Sequence, residues 1–226
     1  MRVLLGVLAV GLLALPAKAT TYNDATGDLH DGTGGGADFT GFPHLDIASV
    51  DVTNDLSNIT FAVTLVGDIQ ATNWGKYMVM IDSAPGGDAA GNGWARPISM
   101  SSGSEGWLGS WVDGGGAFQD WTYDGALWNM GAQSGLDSIT QFTATMTTSL
   151  ASLNLAVGDS ILFDVYSSGG GGGDSAIDAL SMATPSVIDW AGPFDTTAPL
   201  KYNITPEPAS LALVGLGGLA LIRRRR

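Results

Sequence analysis

In the stretch Ile59-Thr60-Phe61-Ala62-Val63-Thr64-Leu65, large apolar side chains fall on every second residue, with Thr, Ala and Thr between them. Successive side chains of an extended chain point to opposite faces, so this alternation marks a strand with one face in a core and the other toward water. Ile47 to Val52 precedes it and predicts its partner strand. Further along, Tyr77, Val79 and Ile81 form one apolar face and Met78 and Met80 the other, which predicts a central strand buried on both sides. More strands are expected at Gly106 to Val112, Phe118 to Tyr123, Gln141 to Thr147 and Ser160 to Tyr166, each bounded by Gly, Asp, Asn or Ser turn residues. Short strands in this number, joined by Gly-rich turns, predict an all-β chain folded as an antiparallel, jelly-roll-like β-sandwich. Helix is expected only as a turn or two across Asp174 to Met182. Gly169 to Gly173 reads as a flexible link toward a last edge segment around Ser186 to Trp190.

The chain has 226 residues, with 22 acidic and 9 basic side chains and a net charge of −13. Six of the nine basic residues (Arg2, Lys18 and Arg223 to Arg226) sit at the two ends. Residues 20–205 therefore carry only Lys76, Arg96 and Lys201 against 20 Asp and Glu105, a charge of −18. Such a surface repels nucleic acid, whose binding needs Lys and Arg to displace counterions from phosphates. The absence of cysteine excludes disulfides, thiolate nucleophiles and Cys-based zinc sites.

Both ends read as addresses. Residues 1–19 combine an early Arg2, an apolar run from Val3 to Leu15 and Ala17-Lys18-Ala19, the pattern of a signal peptide cut by signal peptidase. A β-sandwich domain is expected over 20–205. Residues 206–226 open with Pro206-Glu207-Pro208, continue with an uncharged apolar run over 209–222 and end in Arg223, Arg224, Arg225 and Arg226. At about 1.5 Å per residue, a helix over that run spans roughly 21 Å, short of the ~30 Å hydrocarbon core. It suits a transient inner-membrane tether better than a permanent anchor, and the arginines hold its C-terminal side in the cytoplasm. Pro-Glu-Pro, a short apolar helix and a terminal Arg cluster resemble the PEP-CTERM sorting signal of Gram-negative bacteria. The resemblance implies recognition by an exosortase, a membrane-embedded protease, near Pro206 to Pro208. It further implies release to the cell surface or extracellular matrix.

Two groups of residues could carry a function. The acidic, Gly-rich entry (Asp24-Ala25-Thr26-Gly27-Asp28, Asp31, Asp38, Asp46) supplies hard oxygen ligands on a pliant backbone, which is what calcium requires. The alternative is solvated turn residues, since Asp caps turns with its own side chain. Trp74, Trp94, Trp107, Trp111, Trp121 and Trp128 put six of the seven tryptophans between residues 74 and 128. Exposed indole faces stack on sugar rings, so such a cluster suits an extracellular polysaccharide; buried, the same rings would only fill a core. Trp94 near Arg96, and Trp121 to Trp128, are the expected exposed members.

Catalysis has less support. His30 and His44 are the only histidines and read as solvated loop residues or incidental metal ligands; no Gly-x-Ser-x-Gly elbow and no Gly-Lys-Ser/Thr loop occurs. The expectation is a non-enzymatic protein. Twenty aspartates can supply a carboxylate pair, so a polysaccharide-active hydrolase stays an alternative, as does a purely structural surface protein.

The opening Asp-x-Thr-Gly-Asp, Leu45-Asp46-Ile47, Ile59 to Val63 and Lys76 to Asp82 resemble the family 9 carbohydrate-binding module and related DOMON-like sandwiches. The resemblance implies a β-sandwich over about residues 22 to 190, calcium held by Asp24, Asp28 and Asp46, and sugar bound between tryptophans. It assigns no individual tryptophan to that role.

Overall fold

A computed structural model describes residues 19–131 and 137–206. The stretch read as a signal peptide, up to residue 18, the apolar run over 209–222 and the Arg tail lie outside the described residues. Among those described, no helix is long and apolar enough to cross a membrane.

The described residues form fourteen strands: β1 Thr20–Asn23, β2 Ile47–Asn54, β3 Asn58–Leu65, β4 Lys76–Asp82, β5 Ile98–Met100, β6 Gly106–Trp111 and β7 Ala117–Tyr123. They continue with β8 Trp128–Met130, β9 Asp137–Ile139, β10 Thr143–Ser149, β11 Ser160–Ser168, β12 Asp178–Ala179, β13 Phe194–Thr196 and β14 Leu200–Asn203. One sheet runs β1-β2-β3-β10-β9, and the other β12-β11-β4-β6-β7-β8 with β14 also on β11. Every pairing in these two sheets is antiparallel, and the two-stranded β13-β5 is parallel. The result is the expected all-β sandwich.

The deciding stretch is β3, in the middle of its sheet. Its apolar face (Ile59, Phe61, Val63, Leu65) is buried against Tyr77, Val79 and Ile81 of β4 and Ile161, Phe163 and Val165 of β11. Its other face carries Thr60, Ala62 and Thr64, half-exposed, with the Thr60 hydroxyl hydrogen-bonded to that of Thr147. Asp55 closes the β2–β3 hairpin by accepting from the Ser57 and Asn58 N–H groups, as short Asp side chains do in turns.

The strand β4, between β11 and β6, is buried on both faces as its sequence predicts. Its second face explains much of the chain. Met78 and Met80 join Trp107 and Tyr166 in a second core, which is closed by Leu29, Phe39, Leu45 and Ile177 from loops and turns and by Phe194 of β13. The outer face of this sheet is therefore roofed by loops, and the roof carries the candidate sites.

Three readings need correction. Asp174 to Met182 contains no helix: Asp178 and Ala179 extend as β12 and pair with Ser167 and Tyr166, because the apolar Ala176, Ile177 and Ala179 are needed in the second core. Ser186 to Trp190 is a loop, and the edge is formed instead by β12 and β14. His30 and His44 are buried rather than solvated; the Nδ1 of His30 is 2.8 Å from the Ala37 carbonyl, and the His44 ring packs edge-on to Trp74 at 4.5 Å.

Candidate functional site

The roof holds two groupings of interest. The first is acidic. Asp24 follows β1, Asp28 follows the Thr26-Gly27 turn, Asp46 ends a short 3-10 turn before β2, and Asp178 opens β12. Carboxylate oxygens of Asp28, Asp46 and Asp178 lie within 4.8 Å of one another, and Asp24 is close enough to repel all three. Backbone hydrogen bonds hold the set: Gly27 N–H donates to Asp46 Oδ2 at 2.8 Å, Ile47 N–H to Asp178 Oδ2 at 2.7 Å, and Ala25 N–H to Asp24 Oδ1 at 2.8 Å.

The remaining oxygen of Asp178, Oδ1, accepts from the Ala179 N–H at 2.9 Å. Both oxygens of Asp28, Oδ2 of Asp24 and Oδ1 of Asp46 are buried without a hydrogen-bond partner among the described residues. The ion pair seen among the described residues lies elsewhere, between Lys76 and Asp113. Burial and mutual repulsion accordingly hold these groups toward their protonated forms. Asp24 is pushed up to about 7, first by burial and then, against the Ala25 hydrogen bond, by Asp28, Asp164 and Asp46. Asp178 is raised well above the usual carboxylate range by burial and by Asp24. Orphaned buried carboxylate oxygens cost free energy unless a cation gathers them, and hard oxygens in this number suit calcium. Sequence reading named Asp24, Asp28 and Asp46 and missed Asp178. Its signal was a lone carboxylate in the apolar run Ala176-Ile177-Asp178-Ala179-Leu180.

The second grouping is aromatic, a groove of about 510 Å³ walled by Trp94, Trp111 and Trp121 with Arg96, Lys76 and Gln119 at its edges. Trp111 lies on β6 and Trp121 on β7. Trp94 comes from the loop before β5, which the buried Asn92 shapes: its amide donates to the Arg96 and Ile98 carbonyls, and its oxygen accepts from the Trp94 and Arg96 N–H groups. The Trp94 ring reaches the sheet because Gly109 has no side chain; a Cβ there would sit 2.2 Å from the indole. Its centroid is 5.9 Å from that of Trp111. Gln119 Oε1 accepts from the indole N–H of both Trp94, at 2.9 Å, and Trp121, at 3.2 Å, which fixes both rings.

Among the predicted ligand residues, the structure brings Trp94, Arg96 and Trp121 to one groove and leaves Trp128 out of it. Trp128 lies on the short edge strand β8, where its N–H donates to Asp88 and its ring packs on Tyr123. Arg96 is more enclosed than expected. Only 6 % exposed, it donates to Ser168 and to the Asp174 and Gly169 carbonyls, with its guanidinium 5.5 Å from the Trp94 ring. Trp111 was not singled out as a ligand residue. It shares a face with Trp107, as four-residue spacing on a strand requires, yet Trp107 is fully buried while Trp111, at the strand end, is half-exposed.

The chain is an all-β protein whose C-terminal sequence implies export and sorting by exosortase to the cell surface or extracellular space. Residues 205–226 match the model of the PEP-CTERM protein-sorting motif. Pro206 is exposed at the end of the described chain, and Glu207, Pro208 and Arg223 to Arg226 lie outside it. Comparisons with curated proteins and with solved structures find no match.

Proposed function

We propose that the sandwich is a non-enzymatic, calcium-stabilised module that binds extracellular polysaccharide after exosortase processing. The observation that supports this most directly is the groove: three half-exposed indoles, two of them oriented by one glutamine, beside hydrogen-bonding side chains. Apolar ring faces with a few fixed polar groups are what a sugar, apolar on its ring faces and polar at its edges, requires. The acidic cluster supports calcium as the stabilising ion, held by Asp24, Asp28, Asp46 and Asp178. A bound divalent cation would join the Asp24–Asp28 segment to β12 and so brace the roof on which the groove depends.

Affinity electrophoresis of the purified protein through neutral and acidic polysaccharides, with calcium and after its removal, tests the reading. Retardation by one polysaccharide that is lost in Trp111→Ala at an unchanged melting temperature is the expected result. No retardation by any of them, or new reducing ends released from one, would overturn it.

A further inference from the structure

Beside the groove lies a second aromatic hollow of about 230 Å³, lined by Trp74, Trp190, Asp174 and Gly170. Gly170 also lines the first. We propose that the two form one cleft and that it takes several consecutive units of a polysaccharide chain, rather than a single sugar. This rests on the carbohydrate-binding reading above and says what length of ligand the site is built for.

The Gly169 to Gly173 segment is the junction. Its sequence suggests a flexible link, but its backbone is pinned. Asp174 accepts from the Gly171 N–H at 2.8 Å and donates its own N–H to the Gly171 carbonyl. Arg96 clamps the Gly169 and Asp174 carbonyls, and the Ser175 N–H donates to the Trp190 carbonyl. The absent side chains are what the two rings require. A Cβ on Gly169 would lie 2.6 Å from Cζ3 of Trp190, and one on Gly170 3.1 Å from Cβ of Trp74. Trp190 and Trp74 thus lie against bare backbone, 6.0 Å apart, and Gly170, which lines both hollows, puts no side chain of its own between them, while the Lys76 ammonium donates to the Trp74 carbonyl at 3.1 Å on the first groove's side. Each hollow offers an aromatic platform with hydrogen-bonding groups beside it: Gln119 and Arg96 in the first, the Asp174 carboxylate in the second. Two platforms joined by a low saddle match a linear chain, whose second contact is made at high effective concentration once the first has formed.

The test is titration calorimetry of the full chain, with calcium, against dimers and hexamers of β-1,4-linked glucose, xylose, mannose, N-acetylglucosamine and mannuronate. The hexamer of the bound sugar should bind about tenfold tighter than its dimer, the gain expected of roughly 1.4 kcal/mol from a second platform. Trp190→Ala should return the hexamer to the dimer's affinity and leave the dimer unchanged, whereas Trp111→Ala should weaken both. Since Trp190 also packs on Phe39 and Phe42, Gly170→Val, which raises a wall at the junction, gives the same readout with that ring retained. The wild-type length dependence needs no variant at all. Equal affinities for dimer and hexamer, or equal weakening of both by Trp190→Ala in a folded protein, would overturn the single-cleft proposal and leave the carbohydrate reading standing. Binding of none of the ten oligomers would remove both.

Discussion

Replacing Asp46 by Asn separates the ion from the fold, because the two effects have opposite signs. The Asp46 side chain is 5 % exposed; one oxygen accepts from Gly27 N–H and the other has no partner among the described residues. Asn keeps an oxygen for Gly27 and removes one charge from a cluster of four carboxylates, so without calcium the variant should melt no lower than wild type, and higher if repulsion dominates. With calcium at a hundred times its dissociation constant, binding to the folded state alone stabilises wild type by about 2.7 kcal/mol. For a domain of this size each kcal/mol moves the midpoint by about 2–4 °C, which gives a rise of roughly 5–11 °C. Asp46→Asn should lose most of that rise. Scanning calorimetry with excess calcium and after its removal measures all four melts. The reasoning fails if calcium leaves the wild-type melt unmoved, or if Asp46→Asn loses stability without calcium yet responds to calcium in full.

Three further outcomes follow from the geometry. After calcium removal, stability should fall as pH rises from about 4 to about 7, since Asp164, pushed up to about 6 by complete burial, and Asp24, at about 7, bind protons in the folded state that the unfolded state has already released. For the fully buried Asp164, the shift from 3.8 to about 6 corresponds to about 3 kcal/mol across that window, and chemical denaturation at pH 5 and pH 8 should show the sign; greater stability at pH 8 would refute it. Gly109→Ala should cost about 1–3 kcal/mol by forcing the Trp94 ring off the sheet, and should also abolish polysaccharide retardation although no tryptophan is removed; a neutral melt with intact retardation would show that the contact is slack. Phe61→Ala, a deletion at a fully buried core position, should cost about 3–5 kcal/mol in urea unfolding, and a loss below 1 kcal/mol would mean that β3 does not sit in the main core.

What the sequence by itself determined is what depends on local periodicity and terminal order. Alternation over Ile59 to Leu65 needs only the two-residue repeat of a strand, and the double-faced apolar pattern of Tyr77 to Ile81 needs only the knowledge that a central strand has no wet face. The sorting signal is linear, so its three ordered features are legible without a fold. Asp24, Asp28 and Asp46 stood out because Gly and Asp crowd one short segment. Tertiary structure alone decided what long-range packing controls. Asp178 reaches the same carboxylate cluster from 131 residues beyond Ile47, whose N–H it binds, and no local pattern encodes that meeting. Trp107 and Trp111 are equivalent by spacing; the loop roof covers one and stops short of the other. The five-glycine run shows the same limit. Its composition is that of a flexible linker, but hydrogen bonds from Asp174 and Arg96 fix it in place, and the missing side chains become the floor on which Trp74 and Trp190 lie. Which glycines give mobility and which give room depends on what packs against them, and that is settled only when the chain has closed on itself.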